Sequence, residues 1–567
     1  MQTSPVRLID YFDGRKQSVI PLYQRQYTWE RENWDTLWRD ILDCFQPDGT
    51  LAPHFMGAIV SLPASTMPIG VNKHLIIDGQ QRLTTVSVLL CALRKFIDER
   101  ERNRIQDFLI NRNDEGIEKY KLMPTQDDRE AYICVVRDEI DKDVDSQLYR
   151  AHAYFSRKIK DLNPEEGEPS PIQVLEIIES ALRVVMISLD REEDPYEIFE
   201  SLNFKGTSLS PADLVRNYIL MQYRHSLGDN GDQERIYKVY WKPIEESCPK
   251  EEDLPQFLLH YLRLSGRAVR KKSIYPAFKL HIGKIYPAEL AIGLAALEEE
   301  LGRIKKYSTI YPRLLNPAGE LDERVHRPLD VFNILGMTVF YPLLLRVFLA
   351  EKEGIISPDE LYTALDFLVA YLIRRSVCNL KNNALDMLVT QLLDTKVWRD
   401  EAPSSILLEH LSRQTGNLRW PKDLEFTASF VNDSQYGRKS TNWILWRIEE
   451  TYGHKEEINV ENIQIEHVLP QNPNAEWIEM LTEEDKKNLD HWINTYGNLT
   501  LTGYNPELGN RGFESKIKIY EDSHIEMTKE ICRETAWDID AIKRRSASLA
   551  KRAVQLWQGP ANVEQDA

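Results

Sequence analysis

The chain has 567 residues, 42% hydrophobic and 28% charged, with a formal net charge of −18. That composition fits about three or four folding units of a globular protein and excludes collagen-like, low-complexity and broadly disordered classes. So acidic a chain does not coat nucleic acid non-specifically, although a local basic groove stays open to it.

The first ten residues, MQTSPVRLID, lack the basic-then-apolar pattern of a signal peptide. The six cysteines (Cys44, Cys91, Cys134, Cys248, Cys378, Cys532) lie far apart without a CxxC pair. That argues against a cysteine zinc site and suits a reducing compartment, so a cytoplasmic location is expected. Strand signals stand at Ser18–Pro21, His54–Val60 and His74–Asp78, and Leu83–Phe96 is apolar at helical spacing.

Between the third strand and that helix runs Asp78-Gly79-Gln80-Gln81-Arg82. A helix N-terminus offers unpaired N–H groups and partial positive charge to an anion. Gly79 permits close backbone approach, Gln80 and Gln81 offer amide donors, and Arg82 offers a bidentate fork. Asp78 could hold hydrated Mg²⁺ or position a water. Alone, this strand–loop–helix is weak evidence for a phosphate site, since a capped helix with a surface arginine reads the same way. Upstream, Gln24 and Arg25 sit among Tyr23, Tyr27 and Trp29, either a phosphate clamp with stacking rings or an aromatic core corner.

A charged, helical stretch follows, interrupted by an exposed loop from Asn163, and ends in a strand at Leu182–Ser188. Asp194–Thr207 contains a turn at Gly206, and Ser210-Pro211-Ala212-Asp213 starts a helix carrying Arg216 and Asn217. In order, "PxYQRxYxW", "FxGxIV", "IDGQQRLTT" and "FExLNxxGxxLSxxDLxxN" resemble the N-terminal domain of GmrSD-type modification-dependent restriction proteins, over roughly residues 5 to 220. The resemblance implies a ParB/sulfiredoxin-like α/β fold that hydrolyses nucleoside triphosphates, with Gln24, Arg25 and Asp78 to Arg82 lining the nucleotide pocket.

From Ser210 to about residue 405 the pattern is helix after helix. Val331–Ala350, the most apolar stretch, carries Asn333, Gly336, Pro342 and Arg346 and reads as a buried helix rather than a membrane span. No acidic residue occurs from Leu254 to Ala288, where Arg270, Lys271 and Lys272 head a set of cations. They form either a phosphate-contacting surface or a solvated helix face. Polar residues, Gly and Pro return around 404–420, giving an expected division into 1–220, 221–410 and 411–560.

In the last part, Ile463–Asn472 places Glu466 and His467 at the end of a strand stopped by Pro470. After a polar helix, Tyr496–Thr502 reads as a glycine turn into a second strand, and a helix follows with Asn510, Phe513 and Lys516. Phosphodiester cleavage needs an activated water and a stabilised departing oxygen. His467 is the candidate general base, with Asn498, 31 residues on, steadying the imidazole and hairpin. Glu466 with Asn505 or Asn510 are candidate ligands for Mg²⁺ or Mn²⁺, and Arg511 and Lys516 candidate DNA contacts. Lys543, Arg544, Arg545, Lys551 and Arg552 make a basic tail helix, either a DNA contact or solvated surface. A lone Glu-His pair is more often structural than catalytic.

The set resembles the HNH (ββα-metal) domain that accompanies the same N-terminal domain in GmrSD-like proteins, over roughly 415 to 555. It departs in carrying asparagine where many HNH proteins have the final histidine. The expected architecture is therefore α+β and multidomain: a ParB/sulfiredoxin-like domain, a helical middle and a helical C-terminal domain containing an HNH motif. The expected function is an NTP-regulated, metal-dependent endonuclease of anti-phage defence acting on double-stranded, perhaps modified, DNA. The alternatives are a nucleotide hydrolase that nicks weakly and a non-catalytic DNA-binding adaptor. No membrane partner is expected, and a homodimer is left open.

Overall fold

The computed structural model describes residues 2–21, 24–65, 70–141, 143–188, 210–223, 231–266, 268–285, 290–396, 399, 402–453, 463–503 and 508–560. They form two compact units, residues 1–246 with 274–302, and residues 247–273 with 303–567. The division anticipated from the sequence cut the chain in three, at about 220 and 410.

The first unit is built on a six-stranded mixed sheet. Its strands are β1 (Gln2–Arg7), β2 (Lys16–Val19), β3 (His54–Ser65), β4 (Asn72–Asp78), β5 (Leu122–Met123) and β6 (Leu182–Ser188), in the order β1-β6-β3-β4-β2-β5. β3 runs antiparallel to β4 and parallel to β6. β2, β3, β4 and β6 lie where the sequence signals stand. β1 and the two-residue β5 carry no alternation long enough to read.

The helix Gln80–Leu93 leaves β4 and is buried along almost its whole length. Its apolar residues cover every face, as expected of a helix enclosed in a core. It packs with the helices Gln126–Arg137, Gln147–Lys160 and Pro171–Ser180 around Leu83, Leu89, Phe155 and Ile177. The helix Pro211–Gln222 begins as expected: Ser210 and Asp213 close a capping box and Pro211 occupies the first turn. The Asp194–Thr207 motif and Tyr23 lie outside the described residues.

The second unit is mostly helical. Val331–Ala350 is two helices rather than one, Glu323–Ile334 and Tyr341–Lys352. Gly336 adopts a left-handed φ of 67° between them, and Pro342 sits in the first turn of the second. Among the described residues no helix is long and apolar enough to cross a membrane. All six cysteines are free.

A two-stranded antiparallel ribbon, β7 (Gln464–His467) and β8 (Leu499–Thr502), is set into this unit. Glu466 faces Thr500 and His467 faces Leu499 in its register. The helix Phe513–Glu521 packs beside the ribbon on a core of Val468, Leu469, Trp477, Phe513, Trp537 and Ile542.

Candidate active sites

In the first unit, β4 ends at Asp78 and the chain turns through Gly79 at φ 95°. An added Cβ at Gly79 would stand 2.8 Å from Ile59 Cγ1 on β3. The turn therefore needs glycine twice over, for its φ and for its closeness to the sheet. Gly79→Ala is expected to cost about 1–3 kcal/mol, read as a lowered urea midpoint. An unchanged midpoint would show that the turn relaxes freely.

Asp78 Oδ1 accepts from Gly79 N at 2.8 Å, and no side chain caps the helix. Arg82 donates to Met56 O at 2.6 Å and lies 3.9 Å from Asp78 Oδ2. Its guanidinium rests on Gly57, at a β-bulge where a Cβ would overlap it.

The glutamines of the motif face inward. Gln81 accepts from Thr28 N (2.9 Å) and donates to Gln26 O (2.9 Å), stitching the 24–29 segment to the helix. Gln80 donates to Gln24 Oε1 (2.9 Å), and Gln24 donates to Ile77 O (2.8 Å). These amides position the loop, and each Nε2 has one of its two N–H donors committed to it. Tyr27 is buried, bonded to Thr85 and Trp34, so it is a core residue and not a stacking platform.

Arg25 is half-buried, and its Nε has no hydrogen-bond partner among the described residues. Asp78, Arg82 and Arg25 are thus the charged motif residues with capacity left for a phosphate or its metal.

Gln24 also borders a cavity of roughly 250 Å³ shared with Gln26, Gln126, Asp127, Arg216, Tyr237 and Glu245. Arg216 is buried between Asp213 and Glu245, at 2.8 Å from each. Trp241 and Tyr237 also hold the Glu245 carboxylate. The sequence marked Arg216 only as part of a helix start. Asp127, Tyr237 and Glu245 carried no local signal, because they converge only when helices distant in the chain pack together.

In the second unit, His467 is 9% exposed at the end of β7. Its Nε2 lies 3.1 Å from Asn494 Oδ1, and Gln471 Nε2 donates to the same oxygen at 3.3 Å. An oxygen facing Nε2 fixes the proton on Nε2 and leaves the lone pair on Nδ1. Nδ1 has no hydrogen bond among the described residues. The Tyr436 ring meets the imidazole edge to face at 4.3 Å. Burial lowers the His467 pKa, partly offset by Asn494, so the neutral base is favoured.

Asn498 is fully buried and close by, yet it does not hold the imidazole. Its side chain bonds Leu469 N and O (2.8 Å each), Ile493 O (2.9 Å) and Trp537 Nε1 (3.0 Å). It fastens the loop after β7 to the turn before β8. The steadying role expected of one asparagine is divided between Asn498 for the ribbon and Asn494 for the ring. Asn494 sits in the segment linking the polar helix to the turn, and no sequence feature distinguished it.

Lys516, expected to face DNA, has a fully buried side chain. Its ammonium lies 2.5 Å from Glu466 Oε1 and 2.8 Å from His467 O. Glu466 is thereby committed to an ion pair, which competes with its expected role as a metal ligand. Burial raises the Glu466 pKa and lowers that of Lys516, each offset by the other's charge. Exposed Asn510 donates to Asn472 O at 2.7 Å, and Asn505 lies outside the described residues. Among the described residues no group of three His, Cys, Asp or Glu side chains could hold a metal ion.

Arg511, Arg270, Lys271 and Lys272 are exposed. In the basic tail helix, Arg545 is buried and donates to the carbonyls of Gly497 (2.8 Å) and Leu499 (2.7 Å). Arg544 pairs with Glu534, Lys543 stands over Trp492 and Arg552 over Tyr452. Arg545 is therefore structural, while Lys543, Arg544 and Lys551 are exposed.

The family model described as GmrSD restriction endonuclease, N-terminal domain, matches residues 8–220. The one described as GmrSD restriction endonucleases, C-terminal domain, matches residues 420–552. No curated protein matches the chain.

Proposed function

The chain belongs to the GmrSD restriction endonuclease family, and from that premise we propose that it cuts double-stranded DNA at His467 under the control of a nucleoside triphosphate bound at Asp78–Arg82. The observation that carries the reading is the imidazole at the end of β7. Its Nε2 faces an amide oxygen, its Nδ1 lone pair is free among the described residues, and its pKa is pushed toward the neutral form. Nδ1 takes a proton from water as the water oxygen attacks phosphorus, one P–O ester bond breaks, and the departing oxygen is protonated from solvent. Mg²⁺ or Mn²⁺ is part of the proposal, but the described residues do not by themselves form a cage for it. The ββα-metal arrangement of the ribbon and the helix Phe513–Glu521, and the ParB/sulfiredoxin-like character of the first unit, belong to the same proposal.

In the N-terminal unit, Arg82 and Arg25 would meet the phosphates and Asp78 a hydrated cation. Gln24, Gln80 and Gln81 would keep the loop in register. Arg82→Ala is expected to remove a charge-assisted contact of about 1.5–3 kcal/mol, roughly ten- to a hundred-fold in nucleotide affinity. Titration of nucleotide by calorimetry checks this. Unchanged affinity in a folded variant would remove the motif from the nucleotide site.

The whole reading is tested by cleavage assays on unmodified, hydroxymethylated, glucosylated and phosphorothioated DNA, with and without nucleotide and with EDTA. No cutting under any of these conditions would overturn it. The commitment of Glu466 to Lys516 favours one other reading, in which nucleotide hydrolysis is the main activity and nicking is slow. The same assay separates the two by rate.

A further inference from the structure

A second cationic feature lies in the first unit, lined by none of the motif residues, although its floor residue Trp34 donates to Tyr27. The helices Arg31–Asp43 and Gln147–Lys160 enclose a groove of roughly 670 Å³. Five cations line it, Arg31, Arg39, Arg150, Arg157 and Lys158, against two carboxylates, Asp161 and Glu168. In a chain with net charge −18, that local excess runs against the whole molecule.

The floor is aromatic. Trp34 and Trp38 are buried beneath it, and Tyr154 lies 5.5 Å from Trp34 with Lys158 above its ring. Asp35 anchors the floor by accepting from the Tyr154 hydroxyl, and its carboxylate lies 3.4 Å from Lys158 and 3.7 Å from Arg31. Arg150 pairs with Asp145, both largely exposed, an ion pair weak enough to exchange for another anion. Exposed Arg39 and Arg157 have no ion-pair partner among the described residues.

Arg31 and Arg39 are eight residues apart on one helix, and Arg150 and Arg157 seven apart on the other. At ~1.5 Å per residue, each pair spans about 10–12 Å. Phosphates of one DNA strand rise ~3.4 Å each along the duplex axis and lie about twice that far apart along the strand itself, so each row matches roughly two successive phosphate steps. A free nucleotide would not use both rows.

We propose that this groove grips the phosphodiester backbone of duplex DNA, as a docking surface separate from the Asp78–Arg82 loop and from His467. The proposal rests on the reading of DNA as the substrate and adds where the first unit holds it. The contacts are to backbone and carry no base specificity of their own.

The test uses the full-length chain in EDTA, with a short fluorescent duplex titrated by anisotropy over a series of salt concentrations. Arg39→Glu with Arg157→Glu is expected to weaken duplex binding at least about tenfold. It should also reduce the slope of log affinity against log salt by roughly two, at ~0.9 per lost phosphate contact. Nucleotide affinity should not change. The milder pair Arg39→Gln and Arg157→Gln, with circular dichroism as the folding control, keeps the test open if charge reversal unfolds the unit.

Unchanged duplex affinity and slope in folded variants, with cleavage intact, would overturn the groove and leave the nuclease reading standing. Loss of nucleotide binding alone would reassign the groove to the nucleotide. A wild-type chain that neither binds nor cuts duplex overturns both.

Discussion

His467→Ala is expected to slow DNA cleavage by about 10²–10⁴-fold, the range supplied by a positioned general base, while nucleotide hydrolysis and folding stay at wild-type levels. The site makes this specific. Asn494 Oδ1 orients the ring, Nδ1 carries the lone pair, and burial keeps the ring neutral. Because burial moves the His467 pKa below its ordinary value of 6.5, the wild-type rate should hold through neutral pH and fall only on the acid side of that value. The same shift weakens the fold in acid. The unfolded chain takes up the proton first, so the contribution to stability is lost as pH falls from the unfolded pKa through the lower folded one. A rate profile that declines well above pH 6.5, or a folded alanine variant that cuts at the wild-type rate, would remove His467 from the chemistry.

Lys516→Met should destabilise the second unit by about 3–5 kcal/mol, the usual consequence of stripping one partner from a buried ion pair. The ammonium has no exposed surface and answers both Glu466 and the His467 carbonyl. Without it, the Glu466 carboxylate, with only 10% of its side chain exposed, is left charged without its counter-ion. Urea denaturation followed through the buried Trp477 and Trp537 would measure the loss. The pH dependence has a definite sign. Burial raises the Glu466 pKa in the fold, so below the ordinary glutamate range both states hold the proton and the penalty is absent. It grows as pH rises through that range to the raised folded value. Removing both charges, with Glu466→Leu added, should recover much of the stability. A Lys516→Met variant as stable as wild type at neutral pH would show that the pair is dispensable.

These effects mark where local sequence stops being informative. The strands β3, β4 and β6, the glycine turn at Gly79, the capped start at Ser210 and the ribbon of Glu466 and His467 against Leu499 and Thr500 were all legible. Each depends on neighbours within a few residues: alternation, a required φ, a cap. The family resemblance was legible for the same reason, since its motifs are short and ordered. What each polar side chain does was not. Gln80 and Gln81 look like ligand donors until the 24–29 segment folds over them, and Lys516 looks like a DNA contact until a strand 50 residues earlier presents Glu466 to it. Asn494 stands beside His467 only because the polar helix and the β7 ribbon pack together. The sequence by itself determined most of the elements around the motifs, their order and the family. Tertiary structure alone decided which charges are buried, which amides brace the loops and which cations remain free for a ligand, because desolvation and pairing are set by residues far away in the chain.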